Sequence, residues 1–270
     1  MVYIIIIVIL VILAMLYVLS TRCCKNQPGL RKLRPWAYAH RGLHNKARPE
    51  NSMSAFRAAV AQDYGIELDV HLLRDGNLAV IHDSSLKRTT GAEGRIESLD
   101  SHDLWNYRLE GTSETIPTFK EVLDLVDGRV PLIVELKVVD NNYRELCEAV
   151  CKRLDRYKGV YCVESFDPRC VRWFRKNRPD IIRGQLAENY FRSKLKMPFV
   201  LRLLLSCQML NFLTLPDFVA YKYADRKRLS NSLVKKLWGA TRVGWVIKTR
   251  EEYQTAKKEG WIPIFEDFNP

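Results

Sequence analysis

The feature that most constrains the fold is an alternation of short apolar runs with amphipathic stretches between residues 36 and 266. Short apolar runs are typical of buried strands, and the stretches between them are long enough to form helices. Eight such units in 270 residues predict a parallel sheet closed into a (β/α)8 barrel, the TIM barrel. The predicted strands are Trp36–His40, Gly65–Val70, Pro131–Glu135, Val160–Glu164, Ile181–Leu186, Asp217–Tyr221, Val243–Ile247 and Ile262–Glu266.

The second predicted strand continues into a small insertion. The turn Asp75-Gly76-Asn77 precedes a further apolar run, Leu78–His82. An Asp-Gly pair between apolar runs is typical of a hairpin, so residues 70–82 are expected to form one. The remaining stretches predict helices, which include Ser52–Ala61, Asn142–Tyr157, Pro168–Lys176 and two helices that follow capping boxes at Thr118 and Thr249.

The first 20 residues carry no charged side chain, and a stretch of this length predicts one N-terminal transmembrane helix. A cleaved signal peptide would show a basic start and a small-residue cleavage site, and neither is clear. We therefore expect an anchor at 1–20, a basic linker at 21–34 and the barrel at 35–270. The positive-inside rule predicts a single-pass protein with its catalytic domain in the cytoplasm, because five basic residues follow the span: Arg22, Lys25, Arg31, Lys32 and Arg34.

The net charge of +12 indicates an anionic partner, and residues 191–250 hold thirteen Lys or Arg against Asp217 and Asp225. A nucleic acid is not expected, because the charge accompanies no recognition motif. Residues 191–216 form an insertion, basic at its start and apolar afterwards. We expect either an extra buried helix or a surface that enters the lipid interface, and disfavour a second span, which would prevent barrel closure.

Polar clusters follow the ends of several early strands, where barrel enzymes place their active sites. Glu67 and Asp69 are two residues apart, so both carboxylates point to the same face of a strand. Glu135 from the neighbouring strand would complete a set of three hard oxygen ligands. Such a set predicts one divalent cation, Ca²⁺ or Mg²⁺, rather than zinc.

Two histidines and two cations accompany this acidic set. His40 and His82 have the character of a general acid and a general base near neutral pH. Arg41 offers a planar fork for phosphate oxygens, and Lys137, on the same strand face as Glu135, can meet an anion. These residue types together favour phosphodiester chemistry. Walker, G-x-S-x-G and G-x-G-x-x-G motifs are lacking.

Each motif also has a structural explanation. A single Glu-x-Asp is often a solvated strand edge, and Asn51 or Ser52 is expected to cap a helix. His44 and His102 are expected at the surface. His71 shares the strand face of the acidic pair, yet stays outside the predicted site. Only the joint occurrence of the motifs, in this order, favours an active site.

These motifs resemble those of the glycerophosphodiester phosphodiesterase family. The resemblance covers about residues 35–270 and rests on the following segments: His40-Arg41-Gly42, Pro49-Glu50-Asn51-Ser52, Glu67-Leu68-Asp69-Val70, Asp75-Gly76, Ile81-His82-Asp83, Arg88-Thr89-Thr90-Gly91, Ile116-Pro117-Thr118, Glu135-Leu136-Lys137 and Ser165-Phe166-Asp167-Pro168. It implies a barrel with a hairpin insert that carries the second histidine. The implied site comprises the acid/base pair His40 and His82, the metal ligands Glu67, Asp69 and Glu135, the phosphate-binding Arg41 and Lys137, and Glu50 as an added ligand or a neighbour of the ligands.

The resemblance implies hydrolysis of glycerophosphodiesters to glycerol 3-phosphate and an alcohol. An alternative is a lysophospholipase D or a lipid head-group phosphodiesterase acting at the membrane, which the anchor and residues 191–216 favour. A non-catalytic module that binds phosphorylated head groups is the weaker alternative, because such a module needs no paired histidines. The expected partners are the diester or lysolipid substrate and the membrane.

Overall fold

A closed parallel barrel forms the body of the chain. The structure, a computed structural model, describes residues 1–24 and 27–270, so Lys25 of the predicted linker lies outside the described residues. The strands are β1 Tyr38–Ala39, β2 Gly65–Leu72, β3 Leu78–Val80, β4 Leu132–Leu136, β5 Tyr161–Ser165, β6 Arg183–Ala187, β7 Phe218–Lys222, β8 Thr241–Ile247 and β9 Trp261–Phe265. The barrel strands pair in the order β1-β2-β4-β5-β6-β7-β8-β9, and β9 returns to β1. The predicted TIM barrel is confirmed.

Helices connect the strands and pack around the barrel. Several begin where the sequence predicts: Ser52 accepts a hydrogen bond from the amide of Ala55, and a capping box at Thr118 opens another helix. The helices are α1 Val2–Ser20, α2 Leu30–Leu33, α3 Met53–Ala61, α4 Lys87–Thr90, α5 Phe119–Val126, α6 Tyr143–Leu154, α7 Pro168–Asn177, α8 Phe199–Ser206, α9 Asn211–Thr214, α10 Leu229–Trp238 and α11 Arg250–Lys258. Short 3-10 helices lie at Ile96–Ser98, Ser101–Asn106 and Tyr223–Asp225.

The predicted hairpin is confirmed by the antiparallel pairing of β3 with the far end of β2. Val70 pairs with Val80, and Leu72 pairs with Leu78. The edge of β2 is free for this pairing because β1 is short and pairs only with the first residues of β2. The hairpin therefore rises from the carboxyl end of the barrel and carries the loop that contains His82.

Side-chain alternation along β2 separates the core from the site. Leu68 and Val70 are fully buried in the apolar layer between the sheet and the helices. Glu67 and Asp69 have the opposite parity and point into the barrel. Because β2 and β4 are parallel with Asp69 opposite Glu135, the acidic side chains of the two strands lie side by side.

The opposite end of the barrel is closed by α2. Leu30 and Leu33 are buried in one cluster with interior side chains of the strands. The Tyr38 hydroxyl donates a hydrogen bond to the Leu33 carbonyl at 3.1 Å, and Arg34 donates to the Thr241 hydroxyl at 2.7 Å. The second half of the predicted linker is thus packed against the barrel.

The anchor and the insertion expose apolar surface. Among the described residues, α1 is the one helix long and apolar enough to cross a membrane, and none of its residues is buried. Helix α8, with 8 residues, is too short for a second span. Phe199 and Val200 of α8 are more than 60% exposed, and its buried residue is Ser206. The expectation of an extra buried helix is therefore wrong for α8.

Candidate active site

Three carboxylates converge at the carboxyl end of the barrel. Glu67, Asp69 and Glu135 are buried, and each offers an oxygen within 4.8 Å of the other two. The backbone amide of Arg41 donates a hydrogen bond to Glu67 at 3.1 Å, and the Asn51 side-chain amide donates to Asp69 at 2.9 Å. The structure therefore brings together the three acidic residues that the sequence nominated as metal ligands. Asn51, expected only as a cap, also orients one of them.

Two cations face the carboxylates. Lys137 Nζ lies 2.9 Å from Asp69 Oδ1 and 2.6 Å from Glu135 Oε1. Arg41 Nε lies 3.4 Å from Asp69, while its Nη1 donates to Glu50 at 2.9 Å. Glu50 is thus a partner of Arg41 and lies outside the cluster of three carboxylates.

The nearby cations stabilise the ionised forms of the three carboxylates to different extents. Burial, followed by the charges of Asp69 and Glu135, raises the pKa of Glu67 well above its ordinary value. Burial also raises the pKa of Glu135 to about 7, although Lys137 opposes the shift. Burial disfavours the ionised form of Asp69 as well, but Lys137 and Arg41 outweigh it and hold its pKa well below the usual range. Three converging buried oxygens with unneutralised charge are what a hard divalent cation binds, so the donor set fits the predicted metal.

His40 lies at the edge of the cluster and is held by a carboxylate. Its Nδ1 lies 3.0 Å from Glu266 Oε1, and its Nε2 lies 4.0 Å from Glu67. Burial lowers the pKa of His40, while Glu266 opposes the shift. His44 was expected at the surface, but its Nε2 lies 3.2 Å from the same Glu266 oxygen, because β9 ends beside the loop after β1.

His82 is held in the same way from the hairpin side. Its Nδ1 lies 2.5 Å from Asp83, and Asp83 in turn lies 2.5 Å from Arg88, which also pairs with Glu50. Burial lowers the pKa of His82 to about 4, and the nearby Asp69 opposes the shift. Both imidazoles therefore keep Nε2 available for proton exchange while a carboxylate orients Nδ1.

Sequence reasoning missed three supporting residues. Glu266 stands at the end of β9, a position that the rule of carboxyl strand ends would have flagged. Glu164 is buried opposite Glu135, and its Oε2 lacks a hydrogen-bond partner among residues 1–24 and 27–270. Arg88 lies in the motif Arg88-Thr89-Thr90-Gly91, to which the sequence analysis assigned no role, and it pairs with Asp83 and Glu50.

His71 lies outside the acidic cluster. It pairs with Glu97 at 2.7 Å and with the His82 carbonyl at 3.1 Å, so it holds the hairpin backbone.

Comparison with known proteins agrees with this geometry. Residues 40–238 match the model of the glycerophosphoryl diester phosphodiesterase family. This chain belongs to that family. A glycerophosphodiester phosphodiesterase of Bacillus altitudinis is 34% identical over 155 residues, which are 53% of this chain and 63% of that protein. One of Caldanaerobacter subterraneus is 34% identical over 162 residues, which are 56% of this chain and 65% of that protein. The chain thus spans just under two thirds of the length of these relatives.

The fold is shared with solved structures. A phosphodiesterase of Oleispira antarctica, solved in complex with its product sn-glycerol-3-phosphate, superposes with a TM-score of 0.71. The superposition covers 87% of this chain and 94% of that one, at 22% sequence identity. This likeness shows that the two proteins share the barrel fold.

Proposed function

We propose that this protein hydrolyses glycerophosphodiesters to glycerol 3-phosphate and an alcohol. One observation carries the proposal: three buried carboxylates gather within 4.8 Å, and two carboxylate-oriented histidines accompany them. Arg41 and Lys137 supply positive charge to a phosphodiester in the same mouth. A binding module would need the positive charge, but it would not need two imidazoles whose Nδ1 atoms are each held by a carboxylate.

Glu67, Asp69 and Glu135 would hold one divalent cation, Ca²⁺ or Mg²⁺. When bound, the cation supplies neutralisation of phosphate charge and polarisation of a phosphoryl oxygen. Arg41 binds an equatorial phosphate oxygen through its guanidinium fork, since Glu50 and Asp69 already fix its orientation. Lys137 would turn from its two carboxylate partners toward the phosphate.

The two histidines move the protons. One accepts at Nε2 the proton of the attacking hydroxyl, which belongs to the substrate glycerol or to water. As the new bond to phosphorus forms, the bond from phosphorus to the departing alcohol oxygen breaks, and the other histidine donates a proton to that oxygen. The low pKa of His82 makes its neutral form, which can accept a proton, dominant near neutral pH.

Release of glycerol 3-phosphate from a panel of diesters, with and without a chelator, tests the proposal. His40→Ala and His82→Ala should each lower turnover by roughly 10²–10⁴ while the circular dichroism spectrum is unchanged. His102→Ala is the matched control, because the His102 side chain is 78% exposed and lies outside the described site. Full activity in either of the first two variants, or activity that resists the chelator, would contradict the assignment.

A non-catalytic module that binds phosphorylated head groups is the alternative. It predicts that a glycerophosphodiester binds without being consumed, and that both histidine variants bind it as well as the parent protein does. Metal-dependent turnover of any diester excludes this alternative.

We also propose that α1 anchors the enzyme in a membrane as a single span, with the barrel in the cytoplasm. The uncharged α1, with none of its residues buried, supports the anchor, and the basic residues after it support the orientation. Protease treatment of sealed membrane vesicles of known orientation tests this arrangement. Digestion of the barrel from the non-cytoplasmic side would overturn it.

A further inference from the structure

A second group of metal-binding side chains lies beside the proposed catalytic centre. One ring nitrogen each of His40 and His44 and one oxygen of Glu266 lie within 4.8 Å of one another. His40 Nδ1 is 3.0 Å and His44 Nε2 is 3.2 Å from the same atom, Glu266 Oε1. The proposed reaction uses His40 and its partner Glu266, but it gives no task to His44. The group therefore contains one more donor than the reaction needs.

The backbone holds His44 in this place. After β1 the chain turns sharply at Gly42, whose φ of 81° lies in the left-handed region that favours glycine. The amide of Gly42 donates to the Ala39 carbonyl at 3.2 Å, and the amide of His44 donates to the Gly42 carbonyl at 2.9 Å. The turn brings His44 back toward His40 and toward the end of β9. The tight turn therefore fixes the spacing of the two imidazoles.

The distances within the group suit a tetrahedral Zn²⁺ ion. Zinc binds histidine nitrogen and carboxylate oxygen at about 2.0–2.2 Å, so two such donors at a tetrahedral angle stand about 3.3 Å apart. The two nitrogen–oxygen distances in the group are 3.0 and 3.2 Å, and a small outward shift of the side chains would admit the ion. Two histidines and one glutamate, with a fourth position open to water, are an established ligand set for zinc.

A pocket gives the ion access to the group. The side chains of His40, His44 and Glu266 are 13, 18 and 14% exposed, so they are sheltered but can be reached from solvent. A pocket of about 450 Å³ is lined by His44 and Glu266 and has room for a water molecule as the fourth ligand. Lys248 Nζ lies 2.9 Å from the other oxygen of this carboxylate, Glu266 Oε2. Oε1 is therefore the oxygen that faces both histidines.

The two neighbouring groups select different metals. The carboxylate cluster of Glu67, Asp69 and Glu135 offers only oxygen and suits Ca²⁺ or Mg²⁺. The second group offers two imidazole nitrogens, which suit Zn²⁺ better than Ca²⁺ or Mg²⁺. His40 borders both groups, because its Nε2 lies 4.0 Å from Glu67 while its Nδ1 faces Glu266. A zinc ion at Nδ1 would therefore act directly on a member of the proposed acid/base pair.

We infer that His40, His44 and Glu266 form an inhibitory Zn²⁺ site. The inference rests on the proposed function, because it concerns regulation of that active site. Zinc binds the lone pair of His40 Nδ1, so the single proton of the neutral ring resides at Nε2; from an imidazolium ring, the Nδ1 proton is released to solvent. A ring in this state cannot accept a proton at Nε2, and it is a much weaker acid than imidazolium. The bound ion therefore stops the reaction in either role of His40.

Inhibition by zinc tests the inference with the full chain in phospholipid nanodiscs. Choline release from glycerophosphocholine is measured with saturating Mg²⁺ or Ca²⁺, whichever supports the faster turnover, while buffered Zn²⁺ is raised. The parent protein should lose its turnover, and a further excess of the activating cation should not restore it, because the two ions bind at different sites. Restoration by the activating cation would mean that zinc displaces it from the carboxylate cluster, and would overturn the inference.

His44→Gln is the decisive variant. The glutamine amide can still donate a hydrogen bond to Glu266, but it is a poor zinc ligand. Loss of a residue that only orients a ligand weakens metal binding about 10- to 100-fold, so loss of a ligand should raise the half-inhibitory Zn²⁺ concentration by at least about tenfold. Turnover without zinc should stay close to that of the parent protein, because His44 lies outside the proposed acid/base pair.

His102→Gln is the matched control. His102 lies near Asp100 and Asp103 in a separate group that could hold a metal, and its side chain is 78% exposed. This variant should keep the zinc sensitivity of the parent protein. Equal zinc sensitivity in the parent and in His44→Gln, or a loss of sensitivity in His102→Gln, would overturn the proposed site.

Isothermal titration calorimetry measures zinc binding apart from activity, again with saturating Mg²⁺ or Ca²⁺. A binding event in the parent that weakens at least about tenfold in His44→Gln, but not in His102→Gln, would support the site. Absence of zinc binding to the parent would overturn it and leave the proposed function standing. Absence of turnover in the zinc-free parent would overturn the proposed function, and with it the inhibitory role, whatever the calorimetry shows.

Discussion

Removal of one carboxylate from the cluster should make the metal-free protein more stable. The pKa of Glu135 rises from 4.5 to about 7 in the folded protein. Since tenfold in proton affinity corresponds to about 1.4 kcal/mol, ionised Glu135 destabilises the fold by about 3 kcal/mol. This destabilisation begins as the pH rises through the pKa of Glu135 in the unfolded chain. It is complete above the pKa of Glu135 in the folded protein. Glu135→Gln, which resembles the neutral form, should therefore gain about 3 kcal/mol near pH 8.

The gain should reverse when the metal is added. For a chain of this size, about 3 kcal/mol corresponds to a rise in Tm of roughly 6–12 °C in the presence of a chelator. Ca²⁺ or Mg²⁺ at about 100 times its Kd should stabilise the parent protein by about 2.7 kcal/mol. The Glu135→Gln variant, having lost a ligand, should respond much less.

Thermal unfolding with chelator and with each cation, near pH 8 and near pH 4, measures both effects. Glu148→Gln on the exposed side of α6 is the control, because it removes the same charge at an exposed position outside the carboxylate cluster. The gain of Glu135→Gln should vanish at the lower pH, where the carboxyl is protonated in both states. A chelated Glu135→Gln variant that melts below the parent near pH 8, or a metal response equal to that of the parent, would refute the reasoning.

Three further perturbations test the surrounding structure. Glu266→Gln should lower kcat about 10- to 100-fold with little change in KM, because Glu266 orients His40, and a pH–rate profile should show the acid limb displaced. Asp217→Ala should destabilise the fold by about 3–5 kcal/mol in urea unfolding, since it leaves the buried guanidinium of Arg183 without its carboxylate partner at 3.3 Å. Phe119→Ala should cost about 3–5 kcal/mol in the same assay, because the ring is fully buried between α5 and the sheet, and it should leave the metal response intact.

Much of the site is encoded locally. The spacing of two between Glu67 and Asp69 places both carboxylates on one strand face, whatever the rest of the chain does. The predicted strands differ from the observed ones by at most two residues at each end: Pro131–Glu135, for example, is observed as Leu132–Leu136. Such shifts leave the parity of the side chains unchanged. For this reason the sequence alone identifies the acidic set.

The sequence by itself determined the alternation of strands and helices, the capped helix starts, the apolar anchor and the residues of the acidic set, because each depends on spacing within a few residues. Only the tertiary structure decided that Glu266 meets His40, 226 positions away, and that His44 shares this partner. Closure of β9 onto β1 creates these contacts, and no spacing within a few residues specifies which side chains then meet. The pocket beside the active site arises in the same way, since its lining residues His82, Glu135 and Leu205 come from distant segments that meet only when the barrel is complete.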